Sequence, residues 1–148
     1  MSAGVWSFTV RGTPAPQGSK RFVGVHGGRG VMVESSAKVK PWRMDVKAAA
    51  EAFITRESGW TPLDGPLWLG LVFTLPKPAS EPKTRRTWPQ RKPDLSKLVR
   101  STEDALVDAG LIVDDARIVT LHASKVYVGD PEPGTLDSPG CIVTVSAR

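Results

Sequence analysis

The sequence predicts a single α/β domain. Two segments, near residues 36–56 and 94–109, carry apolar residues at helical spacing, and several others carry the short or alternating patterns of β-strands. A chain of 148 residues that is 40% hydrophobic is long enough to bury one core. Its 14 glycines and 13 prolines indicate a loop-rich domain and argue against a helical bundle. We find no repeat and no linker that would divide residues 1–148 into separate domains.

A first strand and a hairpin are predicted near the N-terminus. Residues 5–10 alternate weakly and indicate a strand. Residues 22–25 and 31–33 flank a glycine-rich tip at residues 26–30, which is typical of a β-hairpin. The tip lacks the helix and the Lys-Ser/Thr pair that follow a phosphate-binding loop. The sequence therefore predicts no nucleotide site here, and no small-molecule cofactor.

The first helix is predicted to run from an N-cap at Ser35 or Ser36 to about Arg56, with Gly59 beyond its end. Residues 67–75 follow with apolar side chains on both faces, and this pattern predicts a central strand. The apolar stripe of the helix, which we assign to the core, comprises Val39, Trp42, Val46, Ala49, Ala50, Phe53 and Ile54.

The second helix is predicted to begin at Asp94. Pro93 disfavours a helical residue before it, and the carboxylate of Asp94 can accept hydrogen bonds from free N–H groups of a first turn. Gly110 ends the helix, because glycine readily adopts the left-handed conformation found there. The mostly apolar stripe between these ends comprises Leu95, Leu98, Val99, Thr102, Ala105, Leu106 and Ala109.

The remaining strands are predicted after this helix. Residues 111–113 are apolar and are expected to lead into a strand, with the Asp114–Asp115 pair at or near its start. In residues 118–125, two sets of side chains then alternate along the chain, as they do on the two faces of a β-strand. Residues 129–139 are rich in glycine and proline and predict a loop, and residues 141–145 predict a closing strand.

Acidic residues are concentrated in and after the second helix. Two interpretations fit: a metal-dependent site of an enzyme that acts on a polyanion, or a solvated helix face. The helix spans roughly 20 Å, so its two acidic ends can meet only through a neighbouring element or chain. Asp108 is expected on the outer helix face. Of the 15 acidic residues in a chain of net charge +5, this region contains Asp94, Glu103, Asp104, Asp108, Asp114 and Asp115.

The composition limits the kind of site. The single cysteine, Cys141, excludes an internal disulfide and a cysteine-based zinc site, and only two histidines are present. A bound metal would therefore take oxygen ligands, which favours Mg²⁺ or Mn²⁺. No apolar run approaches the ~20 residues of a membrane span and no leader pattern is present, so we expect a cytoplasmic protein without a membrane partner. The pI of about 9.7 favours an anionic partner, most commonly nucleic acid.

A basic loop is predicted just before the second helix. Residues 76–92 contain Trp88, four prolines and no apolar period. Basic residues interleaved with an aromatic one suit phosphate contact combined with stacking; the alternative is a solubilising loop. The residues predicted to contact DNA here and nearby are Lys20, Arg21, Lys83, Arg85, Arg86, Arg91, Lys92 and Lys97.

Several motifs together resemble a known family, the RusA family of Holliday-junction resolvases, which is common in phages and prophages. The resemblance covers most of the chain, and its central motif is specific. It implies a small mixed α/β sheet, a homodimer, Mg²⁺, and paired nicks in four-way DNA junctions. In that family the dimer brings acidic groups together at the DNA. The stretches that carry the resemblance are residues 92–100, 104–106, 114–118 and 125–127, with 12–21 and 42–43.

The family pattern implies roles for individual residues. It has an acid at position 94, a second acid two positions later, a basic residue at position 100, and the Asp114–Asp115 pair. Asp94 and Asp115 are thereby implied as catalytic metal ligands, Asp114 as a ligand or its support, and Arg100 as an electrostatic helper. This chain has Ser96 where the family usually has Asp, and Arg100 where Lys is usual.

These departures define an alternative function. Ser96 removes one carboxylate, although its hydroxyl could still hold a metal-bound water, or Asp104 could contribute from further along the helix. Arg100 keeps its charge near neutral pH and so cannot transfer a proton. The alternative is a family member that binds branched DNA with weak or no cleavage.

Overall fold

A four-stranded mixed sheet organises the chain, for which the computed structural model describes residues 4–18, 20–26, 29–34 and 37–148. The sheet and two helices confirm the predicted α/β fold. In chain order the elements are β1 (Val5–Arg11), β2 (Lys20–His26), β3 (Arg29–Glu34), α1 (Val39–Arg56), β4 (Leu67–Leu75), α2 (Leu95–Asp108), a 3₁₀ turn (Asp115–Arg117), β5 (Ile118–Tyr127) and β6 (Gly140–Ala147).

Strand β4 lies inside the sheet, as its apolar pattern predicted. The strand order is β1-β6-β4-β5, and β4 pairs antiparallel with β6 and parallel with β5. Parallel neighbours need a long crossover connection, and α2 supplies it. Side chains of β4 from Leu67 to Leu75 that share one face are all buried. Both helices pack on that face, where the rings of Trp42 and Phe73 lie 6.5 Å apart.

One buried hydrogen bond joins the two helices. The Nε1–H of Trp42 on α1 donates to Oγ1 of Thr102 on α2 at 3.1 Å, and that hydroxyl donates to the carbonyl of Leu98 at 2.8 Å. Both side chains are fully buried. This pairing explains why a threonine occupies the apolar stripe of α2: it satisfies the polar edge of the largest core side chain.

The segment after β1 also holds α2 in place. The hydroxyl of Ser101 donates to the carbonyl of Ala15 at 2.7 Å, and the backbone N–H of Gln17 donates to the carbonyl of Lys97 at 2.9 Å. Because Ser101 is fully buried, these bonds fix the middle and the first half of α2 against the N-terminal part of the chain.

The hairpin of β2 and β3 is confirmed as an antiparallel pair, although tip residues 27 and 28 lie outside the described residues. Ser35 and Ser36, the predicted caps of α1, also lie outside them. The helix begins at Val39, with Lys38 at the N-cap position and no side-chain capping bond.

The ends of α2 differ in part from expectation. Asp94 occupies the N-cap position, but its carboxylate makes no capping hydrogen bond. Gly110 ends the helix with φ of 83°, as predicted. Residues 111–113 lead towards β5, as predicted; Ile112 makes a single bridge to Leu63, and β5 begins after the 3₁₀ turn. In the part of the chain that the structure describes, no helix is both long and apolar enough to cross a membrane.

The bond between Trp42 and Thr102 predicts a clear stability difference. Thr102→Val keeps the shape of the side chain but leaves the indole N–H buried without an acceptor. We expect it to lower the free energy of unfolding by about 1–3 kcal/mol, measured by urea denaturation. Thr55→Val is the matched control, because that hydroxyl is exposed on α1; we expect a change within about 0.5 kcal/mol. Equal effects of the two variants would contradict the role of this bond.

Candidate active site

The Asp114–Asp115 pair lies at the entry to β5, as the sequence predicted. The Asp114 carboxylate accepts from the backbone N–H of Ala116 at 3.0 Å and caps the 3₁₀ turn. The end of the turn is fixed by Arg117, whose Nε lies 2.6 Å from Oδ1 of Asp64. Both carboxylates of the pair are exposed. The main chain therefore holds them in place and leaves their oxygens accessible.

The acidic pair opens onto a surface depression of about 280 Å³, which we call the acidic depression. Asp108 is exposed on the outer helix face, as expected, and it also lines the depression, where its carboxylate is 3.3 Å from the guanidinium of Arg43 on α1. The 3₁₀ turn packs on α2 and brings these residues together. The residues that line the depression are Arg43, Asp104, Val107, Asp108, Asp114 and Asp115.

The pKa values of carboxyls in and beside the acidic depression are shifted. A hydrogen bond with Asp114, then burial and nearby negative charge, raise the pKa of Asp115. The backbone N–H of Ala116 lowers the pKa of Asp114. Burial, reinforced by Asp115 and Asp104, raises the pKa of Glu103 to about 7. The last turn of α2 carries no basic residue to offset its dipole. The arrangement therefore favours uptake of a proton or a cation.

Asp94 lies at the opposite end of α2. Its side chain is half-exposed, and its carboxylate lies 3.8 Å from the ammonium of Lys97. The 14-residue helix separates it from Asp108 by roughly 20 Å. Within the described ranges, no three His, Cys, Asp or Glu side chains lie close enough to hold a metal ion. A single chain therefore does not bring Asp94 to Asp114–Asp115, as the helix length indicated.

An exposed stripe of α2 connects these two ends. Ser96, Arg100, Asp104 and Asp108 follow at intervals of four residues and so share one face of the helix. Arg100 is exposed midway along the stripe, between the serine and the acids. The helical spacing was visible in the sequence and could have identified Asp104 and Asp108 as neighbours of the pair. Arg43 was missed as a neighbour of the acidic pair, because only folding brings it to the depression.

The basic loop is confirmed as lacking helix and strand, but one of its arginines is already paired. Arg86 donates to both carboxylate oxygens of Asp130 at 3.0 Å, and to Glu132 at 3.1 Å. Its guanidinium also stacks 4.1 Å from the ring centre of Trp88. Burial raises the pKa of Asp130, but the bonds from Arg86 and from the Glu132 N–H more than offset this and lower it. Arg86 therefore anchors the loop.

The other basic side chains of this region divide into two groups. Lys83, Arg85, Arg91 and Lys92 are exposed, and their contact with DNA stays a prediction, as does that of Lys97. Lys83 and Arg85 border a cavity of about 230 Å³ that also meets the turn after β5. Lys20 and Arg21 lie in β2, and their side chains are outside the described part of the structure.

The chain matches a known family model. The model described as endodeoxyribonuclease RusA matches residues 11–135, which include the basic loop, α2 and the Asp114–Asp115 pair. The search of curated proteins gave no match.

The raised pKa of Glu103 predicts how stability depends on pH. Glu103 binds its proton near pH 7 when folded and near 4.5, its ordinary value, when unfolded. The folded state therefore holds more protons in this window, and the stability that Glu103 contributes is lost as pH rises through 7. We expect Glu103→Gln to flatten the profile of melting temperature between pH 4.5 and 7, and to raise it at pH 8 by about 3 °C.

Glu51→Gln on α1 is the control for this measurement, since it makes the same change on an exposed helix position. Its melting-temperature profile should run parallel to that of the parent. If the Glu103 variant also ran parallel, the proton would not reside on Glu103.

Proposed function

Because the chain belongs to the RusA endodeoxyribonuclease family, we propose that it is a Mg²⁺-dependent, structure-specific endonuclease that resolves four-way DNA junctions by paired phosphodiester nicks. One observation carries this proposal: exposed carboxylates lie at both ends of α2, and a basic loop leads directly into Asp94. Carboxylates suit a hard cation, and the basic loop suits the DNA backbone. We place its role in DNA recombination and repair, in the setting of a phage or prophage.

The proposed active unit is a homodimer. Among the described residues, Asp94, Asp114 and Asp115 of one chain do not form one metal-holding group, so a complete site needs a second copy to bring its own acids across. The edge strand β5 begins beside the acidic pair and exposes Val119 and Leu121, which are 61% and 43% accessible. A second copy can cover these side chains. Two related sites also suit the two-fold character of a four-way junction.

We assign Asp94, Asp114 and Asp115 as the metal ligands, with Mn²⁺ as a substitute for Mg²⁺. Their oxygen-only donor set fits either ion, and the strongly negative acidic depression favours cation binding. When bound, the cation neutralises charge on the scissile phosphate and makes a water molecule more acidic. A single chain supplies only part of the ligand set, which agrees with a site completed in the dimer.

We assign Arg100 the role of binding the scissile phosphate. It is exposed on the stripe that connects Asp94 with the acidic depression, and its guanidinium can donate two parallel hydrogen bonds to phosphate oxygens. Such a charge stabilises the phosphate as negative charge builds up during displacement. It cannot act as a general acid, because arginine stays protonated.

A second candidate function is binding of branched DNA with weak or no cleavage. The observation that favours it is Ser96, which is exposed one turn before Arg100 and carries no carboxylate. Incubation with labelled four-way junction, flap and linear duplex, with and without Mg²⁺, separates the two. Paired, Mg²⁺-dependent nicks in the junction support the endonuclease; a tight complex without nicks supports the second function.

Asp115→Asn should separate binding from cutting. The amide keeps the shape but loses the charge that attracts the cation, so cleavage should fall by at least ~10²-fold. Junction affinity should stay equal or rise slightly, because negative charge beside DNA is removed. Asp137→Asn is the matched control: its carboxylate is exposed and pairs with Arg11, away from the acidic depression. Near-parental cutting by the Asp115 variant would show that this metal-site assignment is wrong.

Arg85 and Arg86 should behave differently although they are adjacent. Arg85 is exposed, so Arg85→Ala should lower the slope of log K against log salt by about 1 without changing the melting temperature. Arg86→Ala leaves Asp130 without its partner, so it should lower the melting temperature and change the salt slope less. An unchanged slope and affinity for the Arg85 variant would favour the alternative interpretation, in which the loop only increases solubility.

The dimer is tested by light scattering at micromolar concentration. We expect a mass near twice the 15.9 kDa of the chain. Leu121→Asp, which adds charge to the exposed edge of β5, should shift the protein towards monomer and reduce junction cleavage together. A stable parental monomer would contradict the homodimer. A Leu121→Asp variant that stays dimeric would exclude the edge of β5 as the dimer interface.

A further inference from the structure

Lys125 makes two hydrogen bonds that no function assigned above explains. It lies on β5 beside Phe73 of β4, on the face of the sheet that carries the helices. Its ammonium donates to the carbonyl of Arg91 at 2.8 Å and to the carbonyl of Pro93 at 2.7 Å. These short, charge-assisted bonds connect the sheet to the end of the basic loop.

The two carbonyls lie directly before Asp94. Residues 91–93 belong to no helix or strand, so regular secondary structure does not fix their position. The Asp94 side chain makes no capping bond, and only its backbone carbonyl enters the helix, accepting from the N–H groups of Lys97 and Leu98. The ammonium is thus the contact from the sheet that fixes the chain where it enters α2.

No acidic side chain among the described residues forms an ion pair with Lys125, which sets it apart from the paired surface cations such as Lys97. Its charge is directed to main-chain oxygens instead. Two of its three N–H groups are used within the protein, and the side chain is half-buried. This geometry suits an anchor better than a phosphate contact, because a phosphate would have to compete with two carbonyls that are already in place.

We propose that Lys125 is a positioning residue: its ammonium fixes residues 91–93 and thereby holds the Asp94 carboxylate where the cation and the scissile phosphate meet. This inference rests on the proposed function of Asp94. It also links the two acidic ends through one element, since β5 follows Asp115 and carries Lys125 ten positions later. A shift of Asp94 by as little as an ångström is enough to slow a reaction that depends on alignment.

The test compares Lys125→Met, which keeps the aliphatic chain and removes the charge, with Lys125→Arg, which keeps donors for both carbonyls. In the Met variant we expect the amides of Lys97 and Leu98 to exchange hydrogen about 10-fold faster. Junction cleavage should fall in kcat by about 10-fold or more, while Kd for the junction stays within about twofold. Lys125→Arg should restore amide protection and most of kcat.

Lys47→Met on α1 is the control for loss of one positive charge, since Lys47 is exposed and has no assigned role. It should leave the exchange rates and kcat unchanged. If Lys125→Met does not fold, Lys125→Arg decides: restored protection and cleavage support the anchor.

Two results would overturn the proposal. Unchanged exchange at Lys97 and Leu98 in a folded Lys125→Met variant would show that the ammonium does not fix the start of α2. A large loss of kcat in Lys125→Arg with intact protection would make the lysine a participant in the chemistry. The exchange measurement needs no substrate, so it tests the anchor even if the parent cuts no junction and the proposed function itself fails.

Discussion

The parallel pairing of β4 with β5 is the constraint on which the rest of the structure depends. Parallel neighbours cannot be joined by a tight turn, so the chain must cross over the sheet, and α2 is that crossover. Because α2 buries its apolar side on the sheet and on α1, its polar side faces solvent. Its length then fixes how far apart its ends lie. Asp94 before the helix and Asp114–Asp115 after it are therefore both exposed, and both are held apart within one chain.

The same crossover creates a local electrostatic cost. The negative end of the α2 dipole coincides with Asp104, Asp108 and the acidic pair, and Arg43 from α1 neutralises only part of that charge. The pKa values of the carboxyls shift in different directions according to their contacts. A backbone N–H stabilises Asp114 as an anion, whereas Asp115 and Glu103 retain their protons to higher pH. The chain as a whole carries a net charge of +5, so this cluster of negative charge contrasts with the rest of the protein. It is the kind of surface that a divalent cation stabilises.

Two basic side chains, Arg86 and Lys125, use their hydrogen bonds to stabilise the protein itself. Arg86 is committed to Asp130, Glu132 and Trp88, and Lys125 is committed to two backbone carbonyls. Together they restrain the second half of the basic loop, which has no regular secondary structure of its own. Counting basic residues therefore overstates the charge available to DNA. The exposed neighbours of these anchors, such as Arg85 and Arg91, remain free to face a partner.

The sequence by itself determined the elements and the chemical class of the site. Apolar periodicity is a local property, so it located both helices and the central strand, and the clustering of acids predicted where charged oxygens gather. It was silent where the outcome depended on contacts between distant segments. The position of Arg43 beside the acidic pair, and the contacts of Arg86 and Lys125 within the protein, were decided only by the tertiary structure. Each of these depends on what another element presents across space, and local spacing carries no information about that.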